Sequence, residues 1–179
     1  MQIYELLKED HIRVKGLLKE LVNLDNGKPQ VRLALITQIR DELVPHARAE
    51  EAVFYNALRT HPAAKEIMSQ VYREHIQAEA MLKVLQAGDK LNRGWKKTAI
   101  RLKKALENHI SEEENKVFPI AKRILSSDDS VRIGEAFEAM KPKVRAESFL
   151  GTTIDLIANL LPPRFMKSFL LQERLGSEN

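Results

Sequence analysis

Apolar positions along the first part of the chain recur every three or four residues, the period of an amphipathic helix. One stripe predicts a helix over about residues 2–24 and consists of Tyr4, Leu7, His11, Val14, Leu18 and Val22. The turn residues Asp25 to Pro29 end this helix. A second stripe predicts a helix over about residues 30–60, with Pro45 inside it, and consists of Leu35, Ile39, Leu43, His46, Glu50, Val53 and Ala57.

Two further helices follow the His61-Pro62 break. The third is predicted over about residues 64–87, on Met68, Tyr72, His75, Leu82 and Leu85. A turn from Gly88 to Gly94 precedes the fourth, which begins near Trp95, ends near Ser126 and has Leu102, Leu106, His109, Glu113 and Ile120 on one face. Four helices joined by short turns predict an all-α, up-down four-helix bundle with antiparallel neighbours.

The remaining residues predict additional C-terminal helices. A short fifth helix is expected from Val131 to Met140, and an apolar helical stretch from Phe149 to Leu161 ends at Pro162-Pro163. We therefore predict a bundle over residues 1–126 and a helical extension over residues 127–179. Exposed apolar surface seeks a partner, so the extension is expected to pack on the bundle or on a twin subunit in a homodimer. Peripheral membrane contact is the less favoured alternative.

The chain also contains an internal repeat. A shift of 64 residues aligns Asp10-His11-Ile12 with Glu74-His75-Ile76, and a shift of 63 aligns His46, Glu50 and Glu51 with His109, Glu113 and Glu114. The sequence therefore consists of two copies of one helical hairpin. A pseudo-two-fold axis between them would bring the four histidines together.

Composition narrows the chemistry. The 179 residues fit one domain, and the absence of cysteine excludes disulfides, iron–sulfur clusters and thiol nucleophiles. The N-terminal segment carries acids rather than a basic end and an apolar run, which predicts a cytoplasmic protein. A net charge of +4 is too small to indicate a nucleic-acid partner.

Three of the predicted helices carry a histidine followed four residues later by a glutamate: His46/Glu50, His75/Glu79 and His109/Glu113. This spacing places both side chains on one helix face, so both can reach one metal site. His11 lies on the stripe of the first helix. A lone histidine on an apolar face is usually a core residue with one hydrogen bond. Four histidines and three glutamates in one core need a different explanation, because a buried carboxylate costs several kcal/mol unless it is compensated.

The compensating charge is predicted to be metal, because Lys15 is the only basic residue expected near the centre. Nitrogen and oxygen ligands without sulfur suit iron, manganese or zinc. Seven ligands are too many for one tetrahedral zinc and suit two octahedral ions that share carboxylates. The adjacent glutamates are predicted to be solvated or to support the ligands rather than coordinate: Glu51, Glu112 and Glu114.

The combined pattern resembles the hemerythrin-like (HHE cation-binding) family over about residues 2–125. It consists of His11, His46-x-x-x-Glu50-Glu51, His75 and His109-x-x-x-Glu113-Glu114 followed by Phe118-Pro119. The resemblance implies two iron ions, joined by carboxylate and oxo bridges, with zinc or manganese less favoured. Glu50 and Glu113 would bridge them. His11 and His46 would bind one iron, and His75 and His109, with Glu79, the other.

Two positions differ from oxygen-carrying hemerythrins. Glu79 stands where the carriers have a fifth histidine, and Glu113 follows its histidine by four residues where carriers have an aspartate five residues along. These two differences argue that the protein is not a reversible oxygen carrier. The repeat places Lys15 opposite Glu79, so the His11/His46 iron is expected to keep an open position, with ligands approaching beside these two histidines.

Three functions fit these residues. The first is a di-iron protein that binds or consumes dioxygen, peroxide or nitric oxide in a stress response. The second is an iron-sensing or iron-handling domain in which metal stabilises the bundle and a partner responds to that change. The third is a structural di-zinc site, which the number of ligands disfavours.

Overall fold

The computed structural model describes residues 1–87 and 94–146, and its regular elements there are all helical. The α-helices are α1 Ile3–Asn23, α2 Pro29–Ala49, α3 Asn56–Leu58, α4 Lys65–Ala87, α5 Trp95–Glu112, α6 Phe118–Ile124 and α7 Ser127–Ala146. π-helical turns span Glu50–Tyr55 and Glu113–Val117, and a 3₁₀ turn spans Pro62–Ala64. No helix in these two ranges is both long and apolar enough to cross a membrane.

The second and fourth helices of the bundle each contain a π-helical turn. α2, the turn Glu50–Tyr55 and α3 form one continuous helix, because Glu50 and Asn56 at the two junctions keep right-handed helical dihedrals. α5, the turn Glu113–Val117 and α6 are continuous in the same way. With α1 and α4 these make four bundle helices, and α1 packs on both α2 and α5 while α4 packs on the same two. The predicted all-α four-helix bundle is confirmed.

The candidate ligands lie between two apolar clusters. The first cluster includes Leu7, Ala49, Phe54, Val71 and Phe118. The second includes Val14, Leu43, Ala78, Leu102 and Leu106. Along α1, for example, His11 stands between Leu7 of one cluster and Val14 of the other. The polar groups are therefore enclosed above and below by packed side chains, which hold them in place and exclude water.

The fifth helix is longer than the sequence predicted. It begins at Ser127, because the backbone N–H of Asp129 donates to Ser126 Oγ at 3.2 Å while Asp129 Oδ2 accepts from the Ser126 N–H at 3.0 Å. This reciprocal arrangement caps a helix start. The serine and aspartate residues that end the fourth helix therefore also begin the fifth.

α7 packs on α1 and α2. Its Ile133, Phe137 and Met140 belong to the same apolar cluster as Leu7. Gly134 lies so close to the N-terminus that an added Cβ would be 2.8 Å from the Met1 carbonyl oxygen. Residues 127–146 thus share the core of the bundle. The predicted turn over residues 88–93, the helical stretch from Phe149 to Leu161 and its subunit contact lie outside the described residues.

Candidate metal centre

The structure brings together six of the seven predicted ligands in one buried layer. His11 comes from α1, His46 from α2, His75 from α4 and His109 from α5, and all four are buried. Glu50 and Glu113, the first residues of the two π-helical turns, have no exposed surface. Each bundle helix contributes one histidine, as expected for two related hairpins.

The histidines form two pairs. The rings of His11 and His46 have centroids 5.2 Å apart, and those of His75 and His109 are 4.6 Å apart. The Nε2 atoms of His75 and His109 are separated by 3.1 Å. Two ligands at right angles on an ion with bonds of ~2.1 Å are ~3.0 Å apart, so this spacing fits two nitrogens on one metal.

The two glutamates lie next to the histidine pairs. Glu50 Oε2 is 3.7 Å from His46 Nε2 and 3.4 Å from His75 Nε2, so this carboxylate stands between the pairs. Ligand atoms of Glu50, His75 and His109 all lie within 4.8 Å of one another. Glu113 Oε2 is 3.2 Å from His11 Nε2. The six groups therefore provide two adjacent positions for metal ions with shared carboxylates.

A second set of carboxylates surrounds the histidines. The Nδ1 distances are 3.0 Å for His11 to Glu114, 3.1 Å for His46 to Asp10, 2.8 Å for His75 to Glu51 and 2.9 Å for His109 to Glu74. A carboxylate at Nδ1 fixes the proton on that nitrogen and leaves the Nε2 lone pair for a metal. All four Nε2 atoms are thereby prepared as ligands.

These outer carboxylates follow the internal repeat. Asp10 and Glu74 each precede a histidine and support a histidine on the next bundle helix. Glu51 and Glu114 directly follow Glu50 and Glu113 and support the remaining two histidines. The sequence predicted that the second pair would be solvated or would support the ligands. It missed the first, although the alignment of Asp10-His11 with Glu74-His75 contained the signal.

The π-helical turns coincide with the metal-binding motifs. Both begin at the glutamate of a His-x-x-x-Glu motif, and such turns are frequent at functional sites. Tyr55 ends the first turn, and its hydroxyl lies 3.4 Å from Glu113 Oε1. Its ring stacks on His75 with centroids 5.6 Å apart. The turn thus adds a buried hydroxyl to the site.

Burial and mutual repulsion set the charges of the metal-free site. Burial raises the pKa of Glu50 well above its ordinary value, and the neighbouring Glu113 raises it further. For Glu113, burial opposes ionisation, but contacts with Glu50 and His11 outweigh it and lower the pKa. Burial lowers the pKa of His46 to about 4 and lowers that of His75. Without metal, Glu50 therefore tends to keep its proton, which a bound cation would displace.

Several atoms at the centre lack hydrogen-bond partners. Among the described residues none donates to either oxygen of Glu50, and neither Glu113 Oε2 nor His11 Nε2 forms a hydrogen bond, although these two atoms lie 3.2 Å apart. Buried polar atoms without partners cost several kcal/mol, so their convergence fits a bound cation. Nitrogen and oxygen donors without sulfur suit iron, manganese or zinc. The residues present therefore fit a pair of such ions.

Residues 2–121 match the family of the hemerythrin HHE cation binding domain. The chain belongs to this family. It is similar to a hemerythrin HHE cation binding domain-containing protein from Mycobacterium kansasii, with 26% identity, a TM-score of 0.71 and coverage of 88% of this chain and 98% of that one. It is also 26% identical over 145 residues to a DNA nickase from Nostoc sp., a match over 81% of this chain and 40% of the relative's length.

One predicted ligand of this hemerythrin-like protein lies elsewhere. Glu79 pairs with Arg48 of α2 and with Lys83, whose Nζ is 3.0 Å from Glu79 Oε1. Its i+4 spacing from His75 is real, but the cation on the neighbouring helix draws its side chain away from the centre. The Glu79 carboxylate therefore lies in ion pairs outside the group of six converging residues. The structure corrects the expectation that Lys15 is the only nearby cation, because Arg48 pairs with the outer carboxylate of Glu51 at 3.2 Å.

α7 covers the His46 side of the hemerythrin-like centre. Lys141 Nζ lies 3.1 and 3.0 Å from the two oxygens of Asp10, which in turn accepts from His46. Burial opposes ionisation of Asp10, but bonds with His46 and Lys141 lower its pKa to about 2. Phe137 packs edge-on against the His46 ring at 5.8 Å. The approach beside His46 that the sequence suggested is therefore covered by the fifth helix.

Proposed function

We propose that this protein holds two iron ions and binds or consumes a small oxidant, namely dioxygen, peroxide or nitric oxide, in a stress response. The proposal rests on one observation: Glu50 lies between two histidine pairs, His11/His46 and His75/His109. His11 and His46 would hold one iron, His75 and His109 the other, and Glu50 and Glu113 both. Iron held there supplies one-electron redox chemistry toward small oxidants.

The surrounding residues support this chemistry. The cavity at the centre has a free volume of about 10 Å³, at the lower limit for one water molecule, and includes the apolar side chains Val14, Leu43, Leu106 and Ile110 in its lining. It therefore excludes bulk water and larger molecules. Tyr55 keeps its proton, because burial and the adjacent Glu113 raise its pKa well above the ordinary value. Its hydroxyl would donate to Glu113 and hold that carboxylate in position.

Metal analysis and spectroscopy test the proposal. We expect about two irons per chain, a visible spectrum of a diferric centre after aerobic purification, and oxidation of the reduced protein by stoichiometric peroxide. Substitution of His46 or His75 by alanine should reduce the iron content, whereas substitution of the turn histidine His61, which accepts from the Ala63 N–H, should not. A colourless protein that contains only zinc would contradict the proposal.

Iron sensing is a second candidate, because the unpaired carboxylate oxygens make the fold depend on the metal. In a sensor, iron would stabilise the bundle by mass action and a partner would recognise the stabilised form. The two candidates differ in one measurement. A sensor would bind iron and gain stability but would not turn over peroxide faster than free iron does. Sustained consumption of peroxide would favour the oxidant-consuming function.

A further inference from the structure

A small cavity lies beside His75, between α2 and α4. It is lined by Leu43, Val44, Ala47, Arg48, Glu51, His75, Ala78, Glu79 and Leu106. Its free volume of about 20 Å³ holds about one water molecule. On the inner side it shares Leu43, His75 and Leu106 with the cavity at the metal centre. On the outer side it shares Val44 and Glu79 with a larger groove of about 950 Å³. The cavity therefore lies between the metal-centre cavity and the groove on the outside of the bundle.

The internal repeat shows why the cavity is present at this interface. Ala47 and Ala78 face the cavity where α2 meets α4. Under the repeat shifts of 63 and 64 residues, their counterparts are Ile110 and Val14, where α5 meets α1. Both counterparts are buried and line the metal-centre cavity. Two alanines thus leave space in one half of the molecule that larger side chains fill in the other.

A continuous series of ion pairs, which ends in a hydrogen bond between Glu51 and His75, lines this cavity. From the outside inward it runs Lys83, Glu79, Arg48, Glu51 and His75, with side-chain exposures of 71, 27, 24, 14 and 6%. The equivalent interface, where α5 meets α1, has no such ion pair, because Ser111 and Lys15 occupy the positions that correspond to Arg48 and Glu79. The cation and the acid therefore occur together only at the interface that has the cavity.

We propose that the α2/α4 cavity is the passage by which small molecules reach the His75/His109 position, and that the Arg48–Glu79 ion pair is its gate. The proposal rests on the proposed metal centre. A partly exposed ion pair is weak enough to break often, and each opening would expose the alanine-lined space. The size of the passage restricts it to ligands about as large as water, such as diatomic molecules and peroxide. Glu79 would then control access rather than bind metal.

Two substitutions should act in opposite directions. Glu79→Gln removes the ion pair and should speed both binding and release of nitric oxide by about fivefold, the factor that corresponds to about 1 kcal/mol. Ala78→Val introduces the side chain found at the equivalent position 14 and should slow both. The affinity should stay the same in each variant, because a gate changes the two rates equally. Nitric oxide is chosen because it is neutral.

Stopped-flow mixing of the reduced, iron-loaded protein with nitric oxide gives the binding rate. Trapping of released nitric oxide gives the release rate. Iron transfer to excess chelator provides a third rate that should follow the same order. Glu107→Gln, which removes the exposed pair with Lys103, and Ala99→Val, at a buried alanine of α5, are the matched controls. Both controls should retain the original rates.

The outcomes separate the possible failures. Unchanged rates in both variants of an iron-loaded protein would overturn the passage and leave the proposed function intact. A changed affinity for nitric oxide, or an iron content below that of the unaltered protein in Glu79→Gln, would show that Glu79 acts at the metal and would also overturn the gate. If the unaltered protein binds no iron, the proposed function itself fails.

Discussion

Asp10 accepts a hydrogen bond from Nδ1 of His46 at 3.1 Å, although the two residues lie 36 positions apart on different helices. The carboxylate orients the imidazole and keeps its proton on Nδ1. Asp10→Asn should therefore reduce iron affinity by about 10- to 100-fold, the usual effect of removing a ligand's hydrogen-bond partner. Competition with a chelator of known affinity measures the change.

A surface aspartate provides the control for this substitution. Asp41→Asn changes the charge by the same amount at a side chain that is 48% exposed and pairs with Arg40. It should leave iron affinity unchanged. Equal affinities for Asp10→Asn and the unaltered protein would show that Asp10 does not orient His46.

Lys141 should tune the reduction potential. Its ammonium group binds both oxygens of Asp10, which weakens Asp10 as an acceptor from His46. Lys141→Met should make Asp10 a stronger acceptor, increase electron donation by His46 and stabilise Fe(III). We expect the potential to fall by about 40 mV, which corresponds to ~1 kcal/mol for one electron. Arg13, which also pairs with Asp10, limits the change.

Spectroelectrochemical titration measures this potential. Lys141→Arg should restore it, and Lys116→Met, at an exposed lysine that pairs with Glu112, should leave it unaltered. A purely structural role for Lys141 would lower the melting temperature without moving the potential. That result would contradict the predicted tuning.

Gly134 allows α7 to lie against the N-terminus. The Cβ of an alanine there would meet the Met1 carbonyl oxygen at 2.8 Å, and a backbone atom cannot move away easily. Gly134→Ala should destabilise the protein by about 1–3 kcal/mol and lower the melting temperature by about 5 °C. Thermal unfolding followed by circular dichroism measures this.

Gly16 gives a control with the opposite sign. Apart from the neighbouring backbone of α1 itself, no described atom lies within 4 Å of a Cβ added there. Gly16→Ala should stabilise the protein by about 0.5–1 kcal/mol, because alanine loses less conformational freedom than glycine in a helix. A similar loss of stability in both variants would show that the contact with Met1 is not the cause.

Helical periodicity was sufficient to predict the four bundle helices, and the repeat was sufficient to group the histidines. Each depends on spacing within one segment, which the sequence displays directly. The correct prediction of His11 and His75 as related positions is an example. The length of α7 was missed because Ser126 and Asp129 are typical both of a turn and of a helix cap.

The partners between helices could not be read from spacing. Glu79 lies four residues after His75, so the sequence favoured a shared ligand face. The deciding contact is with Arg48, 31 positions away on another helix. Likewise, Lys141 reaches Asp10 across 131 positions. These ion pairs depend on how the helices pack, which periodicity does not specify.

The stability of the metal-free protein should fall as the pH rises from about 6.5 to 8. The pKa of Glu50 is raised above its ordinary value of 4.5, so the folded chain retains a proton that the unfolded chain releases. The raised pKa of His11 acts in the same direction. Stability is lost with rising pH wherever the folded state binds more protons.

Two histidines oppose this trend, and their effect fades toward pH 8. The pKa of His46, lowered to about 4, and the lowered pKa of His75 make stability rise with pH as long as the unfolded imidazoles, whose ordinary pKa is 6.5, still release protons that the folded chain no longer holds. Well above that pH the unfolded imidazoles are neutral as well, and Glu50 and His11 determine the slope. Iron should abolish the dependence on Glu50, because metal binding displaces its proton.

Glu50→Gln provides the decisive comparison for this pH dependence. The amide cannot ionise, so the metal-free variant should unfold at a higher temperature than the metal-free unaltered protein at pH 8, and the two should converge toward pH 5. The same substitution should abolish binding of the second iron, because Glu50 is the carboxylate between the histidine pairs.

Glu107→Gln, at an exposed acid, controls for the loss of one charge. Thermal unfolding at pH 5, 6.5 and 8 after verified iron removal measures each value. A metal-free protein that grows more stable up to pH 8, or a Glu50→Gln variant with the original slope, would contradict the assignment of the buried proton to Glu50.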